Sequence, residues 1–121
     1  MAAILVAEDN VLNFELLRDV LVAKGHDVKW SRDGQETLTE ARSGQFDLVL
    51  LDLHMPKLGG IQVLQELRAD PASRSLPVLV VSADAMAEVE SEVMAAGADG
   101  YISKPLEVRV LAEEVERQLH R

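Results

Sequence analysis

FDLVLLDLHMP, residues 46–56, is the stretch on which the fold turns. Leu48-Val49-Leu50-Leu51 is apolar at odd and even positions alike. That predicts a strand covered on both faces, the central kind found in parallel sheets. The run ends on a carboxylate, Asp52. Desolvating an unpaired carboxylate costs several kcal/mol, so Asp52 either escapes to solvent at a strand end or has a partner that needs it.

Working outward, short β-branched runs alternate with longer stretches whose apolar residues recur every three or four positions. AILVA (Ala3 to Ala7) predicts the first strand. A helix follows over Val11 to Lys24, with Phe14, Leu17 and Leu21 on one stripe, and Gly25 closes it. HDVKWS predicts a weaker strand with Val28 and Trp30 alternating, hence an edge. RDGQE opens the second helix, with Asp33 as cap and Glu36 three residues later; Leu38 and Ala41 face inward and Gly44 ends it. FDLVLL is the third strand and HMPKLGG a loop. Ile61, Leu64, Leu67 and Arg68 run along a third helix that ends near Asp70-Pro71. LPVLVVS is again apolar on both faces. Asp84 caps a fourth helix with Met86, Val89, Val93 and Ala96 as its stripe, stopped by Gly97. GYIS is a short fifth strand. Leu106 to His120 forms the last helix, with Val108, Leu111, Val115 and Leu119 inward.

Five βα units with no repeat, linker or low-complexity segment imply an α/β protein with a parallel sheet. The most apolar strands, first, third and fourth, belong in its middle. The order 2-1-3-4-5 satisfies this: a doubly wound five-stranded parallel sheet, the flavodoxin-like (βα)5 arrangement.

Bulk properties narrow the function. A chain of 121 residues suits one domain. There is no cysteine, so disulfides and thiolate metal sites are excluded. Twelve basic against 21 acidic residues, net −9, argues against nucleic-acid binding; as a bland reading, the acid excess serves solubility. MAAILVAEDN has neither the basic flank of a signal peptide nor the length of a span. A cytoplasmic protein without membrane insertion is expected.

In open α/β sheets, sites form beyond the carboxyl ends of the strands, at the switch point between strands one and three here. The residues at those ends are Glu8 and Asp9, then Asp52, Ser82 and Lys104. Singly each has an ordinary explanation: acids and serines start helices, and lysines are solvated. Together they place three carboxylates on adjacent strand ends with no local basic partner. Crowded carboxylates raise each other's pKa, and a divalent cation relieves the repulsion. Oxygen-only ligands suit Mg²⁺ better than Zn²⁺. A carboxylate beside Mg²⁺ can act as a nucleophile toward phosphorus. Lys104 can neutralise one phosphoryl oxygen and Ser82 can donate to another. Nothing remains to act as a strong general base, which fits an acceptor that stores a phosphoryl group on Asp52 better than an enzyme that turns it over.

AEDN at 7–10, DLHMPKLGG at 52–60, SA at 82–83 and SKP at 103–105 resemble the receiver domain of two-component response regulators. The resemblance covers nearly the whole chain, and EDNVLN at 8–13 is similar to stand-alone cell-cycle receivers and those of hybrid histidine kinases. It implies that Glu8 and Asp9 hold Mg²⁺ with Asp52, that the backbone carbonyl of His54 completes the metal site, and that Asp52 takes its phosphoryl group from a histidine kinase or histidine phosphotransfer protein. Ser82 and Lys104 would bind that group. Lys104-Pro105 matches a position where the family's peptide bond is usually cis. Tyr101 matches the switch aromatic, whose bland reading is a half-buried edge-strand tyrosine. The resemblance further implies that phosphorylation draws Ser82 inward, turns Tyr101, and alters the face of helix four, strand five and helix five toward a downstream protein. That face could also support a dimer of the phosphorylated, otherwise monomeric, chain. Asn10 reads as a plain N-cap, and Leu12 and Phe14 offer an apolar docking patch or are core. His54 and Asp84 depart from the commonest family patterns and flank the path of the hydrolytic water, so they are expected to tune the lifetime of the phosphoaspartate.

Other readings fit less well. An aspartyl phosphohydrolase wants a second acid where His54 stands. A P-loop needs G-x-x-x-x-G-K-[ST] where EDNVLN is acidic, and a flavodoxin wants an uncharged loop there. A degenerate scaffold would have lost an acid or the lysine. The expectation is a single receiver domain over 1–121 without an output domain, acting by binding proteins and hydrolysing only its own phosphoaspartate.

Overall fold

The computed structural model describes residues 2–55, 57–83, 87–104 and 107–120. Its elements are β1 (Ala3–Ala7), α1 (Val11–Ala23), β2 (Asp27–Ser31), α2 (Gly34–Ala41), β3 (Leu48–Leu51), α3 (Gly60–Ala69), β4 (Val78–Ser82), α4 (Ala87–Ala95), β5 (Gly100–Ser103) and α5 (Val108–Leu119). The strands form one parallel sheet in the order β2-β1-β3-β4-β5, as the apolar runs predict. The expected helix cap Asp84, the stripe residue Met86, the Lys104-Pro105 peptide and the helix start at Leu106 lie outside the described residues.

Side chains alternate across a strand, and the core divides accordingly. Leu5, Ala7, Val49, Leu51, Val78 and Val80 face α2, α3 and α4. Ile4, Val6, Leu48, Leu50, Leu79 and Val81 face α1 and α5. Every residue of β3 and β4 is buried. Fully burying one such side chain contributes roughly 1.5–3 kcal/mol. Four in a row along β3 outweigh the cost of delivering a carboxylate to the rim, where Asp52 remains 7% exposed.

Local signals set the helix ends. The Asn10 side chain accepts from Asn13 N–H at 3.0 Å and starts α1. Gly25, at φ +89°, turns the chain out of it, a left-handed conformation that a Cβ disfavours. Asp33 Oδ1 accepts from Glu36 N–H at 2.8 Å and starts α2.

Two helix stripes need correction, and of the two readings open for Phe14 the core one holds, in line with its stripe with Leu17 and Leu21. Phe14 is core, 7% exposed and stacked on Trp30 at 4.5 Å between ring centroids, so it offers no docking surface. In α5, Val108 is 54% exposed and Gln118 is buried, its Nε2 donating to Asp99 O at 3.2 Å. At about 100° per residue, Val108 and Gln118 lie roughly 40° to either side of the line midway between Leu111 and Val115, so phase alone does not separate them. Val108 is the first residue of the helix, and Leu119 stays partly buried against the core. In α3, Val63 joins Leu64 and Leu67 inside while Ile61 is half-buried. Arg68 turns its guanidinium to the carbonyls of Leu76 (2.7 Å) and Gly97 (2.9 Å) and to Asp99 (2.9 Å).

Candidate functional site

β1 and β3 are neighbours, and Asp52 N–H donates to Ala7 O at 3.0 Å. The acidic pair after β1 and the acid after β3 are therefore side by side. Glu8, Asp9 and Asp52 each offer a carboxylate oxygen within 4.8 Å of the others. Glu8 is 1% exposed and Asp52 7%, while Asp9 lies open to solvent.

Lys104, at the end of β5, reaches across. Its Nζ lies 2.8 Å from Glu8 Oε1 and 3.1 Å from Asp52 Oδ2. Backbone hydrogen bonds fix both ends of this bridge. Lys104 N–H donates to Ser82 O at 2.8 Å, and Glu8 N–H donates to Ser31 O at 3.0 Å. Burial pushes the Glu8 carboxyl pKa up; the Lys104 hydrogen bond opposes this, and the Asp52 charge adds to it. For Lys104, burial disfavours the ammonium, but the hydrogen bond to Glu8 and the charges of Asp52 and Glu8 outweigh it, so its pKa rises. One ammonium thus serves two buried carboxylates, and a third acid stands beside them. A hard, oxygen-only donor set of this kind fits a divalent cation.

The loop after Asp52 closes the site. His54 N–H donates to Asp52 Oδ1 at 2.9 Å, while the imidazole is exposed. Gly60 N–H donates to Leu53 O at 3.0 Å, and a Cβ on Gly60 would lie 2.6 Å from Leu53 Cα and 2.9 Å from Asp52 O. The second glycine of the Gly59-Gly60 pair is what lets α3 begin against the backbone of the acid-bearing segment.

Ser82 ends β4 and is fully buried. Tyr101, half-buried on β5, pairs in register with Val80 and packs toward the α2–α3–α4 side. Among the expected site residues, Glu8, Asp9, Asp52 and Lys104 come together around one point. Ser82 is joined to them through the Lys104 backbone, and Tyr101 stands on β5, one strand from Ser82 and two from Asp52. Asp84 lies outside the described residues.

Two supporting contacts had no signal in the sequence pattern. Trp30 Nε1 donates to Glu8 O at 2.6 Å, from a residue whose alternation shows only an edge strand. Asn10 N–H donates to Glu8 Oε2 at 3.2 Å, so the residue that caps α1 also steadies the buried acid. Among the described residues, no helix is long and apolar enough to cross a membrane.

Comparison with known proteins gives a consistent family. Residues 4–116 match the family model of the response regulator receiver domain. The polar-differentiation response regulator DivK of Brucella anthropi is 36% identical over 117 residues, covering 97% of this chain and 95% of that protein. The receiver domain of the sensor histidine kinase PA1611 from Pseudomonas aeruginosa, solved with a magnesium ion coordinated in its active site cleft, superposes with a TM-score of 0.92. It is 27% identical, with 99% of this chain and 98% of that one covered. The chemotaxis response regulator CheY4 of Vibrio cholerae gives a TM-score of 0.91 at 27% identity, covering 98% of this chain and 99% of its own.

Proposed function

The chain belongs to the response regulator receiver domain family, and from that membership we propose that it is the phosphoacceptor of a two-component phosphorelay, with Asp52 taking a phosphoryl group from a histidine kinase or histidine phosphotransfer protein. The observation that carries this reading is the rim: three carboxylates within 4.8 Å of one another, two of them bridged by Lys104.

The residues divide the work. His54 N–H and Lys104 Nζ hold the two oxygens of Asp52 and so aim the carboxylate. An Asp52 oxygen supplies the electron pair of the new O–P bond, the P–N bond to the donor histidine breaks, and the imidazole nitrogen keeps that pair. Lys104 then follows the charge onto a phosphoryl oxygen, and the Ser82 hydroxyl donates to another. Glu8, Asp9, Asp52 and the His54 carbonyl would hold Mg²⁺, which when bound supplies neutralisation of phosphoryl charge. No strong base stands ready among the described residues, which supports a module that stores the group and hydrolyses only its own phosphoaspartate. His54 and Asp84 tune that hydrolysis. Decay rates unchanged in His54→Ala and Asp84→Ala would remove both from this role.

Ser82, drawn toward the phosphoryl group, and Tyr101 carry the change to the face of α4, β5 and α5, where a downstream protein binds. On the donor side, Leu12 is 72% exposed and Leu16, one turn on, 47%. These α1 residues suit the apolar face of a kinase or phosphotransfer helix. The setting proposed for all this is the cytoplasm. Incubation with Mg²⁺ and a small-molecule phosphodonor tests the core claim: wild type acquires an acyl-phosphate label and Asp52→Asn does not. Undiminished labelling of Asp52→Asn would overturn the assignment.

A further inference from the structure

The face between α4 and α5 has a chemistry of its own. Helix α4, AEVESEVMA, carries Glu88, Glu90 and Glu92 with no basic residue. Helix α5, VRVLAEEVERQL, sets Glu113, Glu114 and Glu116 against Arg109 and Arg117. Between them, over β5, runs a groove of about 690 Å³. Met94 and Val110 form apolar walls, 42% and 36% exposed.

Some of its acids are already answered. Asp99 pairs with Arg68 at 2.9 Å, and Glu114 pairs with Arg117. Glu113 has only a distant contact, 3.9 Å, with Arg109, and both side chains are largely solvated. Glu90 has no ion-pair partner among the described residues. One carboxylate without an ion pair among the described residues, Glu90, and one only loosely paired, Glu113, therefore flank an exposed apolar strip, and Tyr101 lies in the lining.

We infer that this groove takes a basic amphipathic segment of a partner protein, one apolar side chain seated between Met94 and Val110 and flanking lysines or arginines set against Glu90 and Glu113. This deepens the proposed output face and rests on it for its dependence on phosphorylation. Charge decides among occupants. A nucleic acid is repelled by the sign of the face. A second copy docked on the same face by a two-fold axis would bring like charges together. A basic helix meets complementary potential, and its binding weakens with salt because the Debye length is only about 10 Å at 0.1 M.

The test uses the whole chain and two labelled probes, an amphipathic leucine–lysine peptide and its leucine–glutamate counterpart, read by fluorescence anisotropy with and without phosphodonor and Mg²⁺. The lysine peptide is expected to bind at least about tenfold more tightly than the glutamate peptide, with affinity falling as salt rises. The double variant Glu90→Lys/Glu113→Lys should lose about tenfold or more, and Met94→Ala should lose affinity with the charges intact. The matched change Glu36→Lys/Glu66→Lys, on α2 and α3, should bind like wild type. Equal losses in the two double variants would reduce the effect to bulk charge and overturn the proposal. So would equal binding of both peptides, or a dimer through this face that the lysine peptide fails to displace. Binding indifferent to phosphorylation would support the groove and overturn the output switch; phosphorylation-dependent shifts across the face without lysine-peptide binding would do the reverse.

Discussion

At the residue scale, Glu8 carries the electrostatic tension of the rim. Its raised pKa, caused first by burial, means that the folded chain binds its proton more tightly than the unfolded chain does. Its favourable contribution is therefore present below the ordinary carboxyl pKa and lost as pH rises through the raised value. Lys104 is also raised, so its contribution holds through neutrality and is lost only as pH rises through its own elevated pKa. Above the raised Glu8 pKa the cation-free rim thus carries an ionised, desolvated Glu8 that one lysine only partly offsets. Added Mg²⁺ should stabilise the fold by about 2.7 kcal/mol at a hundredfold excess over Kd, and so raise the melting temperature. The gain should be larger at pH 8 than at pH 5, because a raised carboxyl pKa makes the proton compete with the cation for Glu8 more strongly as pH falls. Equal gains in calorimetric scans at the two pH values would count against this account of Glu8. Trp30 offers a second test at the same scale. Trp30→Phe keeps the ring stacked on Phe14 and removes the N–H that holds the Glu8 carbonyl. An acceptor left without its donor costs about 1–3 kcal/mol, and Mg²⁺ affinity by titration calorimetry should fall severalfold in a variant that still folds. The strand-end rule made Glu8, Asp9, Asp52, Ser82 and Lys104 legible in the sequence, because position at a strand end is a one-dimensional property. It could not reveal that Lys104 bridges Glu8 to Asp52, or that Trp30 braces Glu8. Those contacts depend on side-chain reach across the sheet between residues 96 and 22 positions apart.

At the element scale, two adjacent glycines separate backbone permissiveness from close packing. Gly59, the residue before α3, has φ −68° and open space where a Cβ would point. Gly60 has the backbone of Asp52 and Leu53 there instead. By helix propensity alone, alanine at Gly60 should stabilise α3 by about 1 kcal/mol. The contact at 2.6 Å with Leu53 Cα overrides that gain, since backbone cannot rotate away as a side chain can. Gly60→Ala should therefore cost about 1–3 kcal/mol in denaturant unfolding and slow labelling of Asp52, while Gly59→Ala stays near wild type on both. Equal behaviour of the two variants would remove the packing argument. Elements were legible where a run is apolar on both faces, as in β3 and β4, because burial on two sides leaves no period to misjudge. Helix phase was less so. In α5 the expected stripe holds at Leu111, Val115 and, partly, Leu119, while Val108 is exposed and Gln118 is buried, its amide donating to the Asp99 carbonyl. Hydrophobicity alone does not register a buried amide with a partner.

At the scale of the whole molecule, the sheet has a chemical pole and a plain one. The carboxyl ends of the strands carry the rim: the acids Glu8, Asp9 and Asp52 with Ser82 and Lys104 beside them. The opposite ends hold a separate set of contacts, with Ala2 N–H donating to His26 Nδ1 at 3.2 Å and Ala3 N–H to Asp47 Oδ2 at 2.9 Å. A phosphoryl group on Asp52 would change the charge that Lys104 answers, and Lys104 is tied through its own N–H to the Ser82 carbonyl. Ser82 shares β4 with Val80, the register partner of Tyr101. A covalent and hydrogen-bonded route from the rim thus runs along β4 and β5 to Tyr101, which lines the groove between α4 and α5. If two arrangements of that route exist in equilibrium, phosphorylation shifts their populations. Amide chemical shifts should then move at Ser82, Lys104 and Tyr101 and along the facing sides of α4 and α5, and stay fixed at Ala2, His26 and Asp47. Changes confined to the immediate neighbours of Asp52 would leave the phosphoryl group stored but unread. Changes spread evenly over both poles would point to a general alteration of stability, in which β4 and β5 hold no special place.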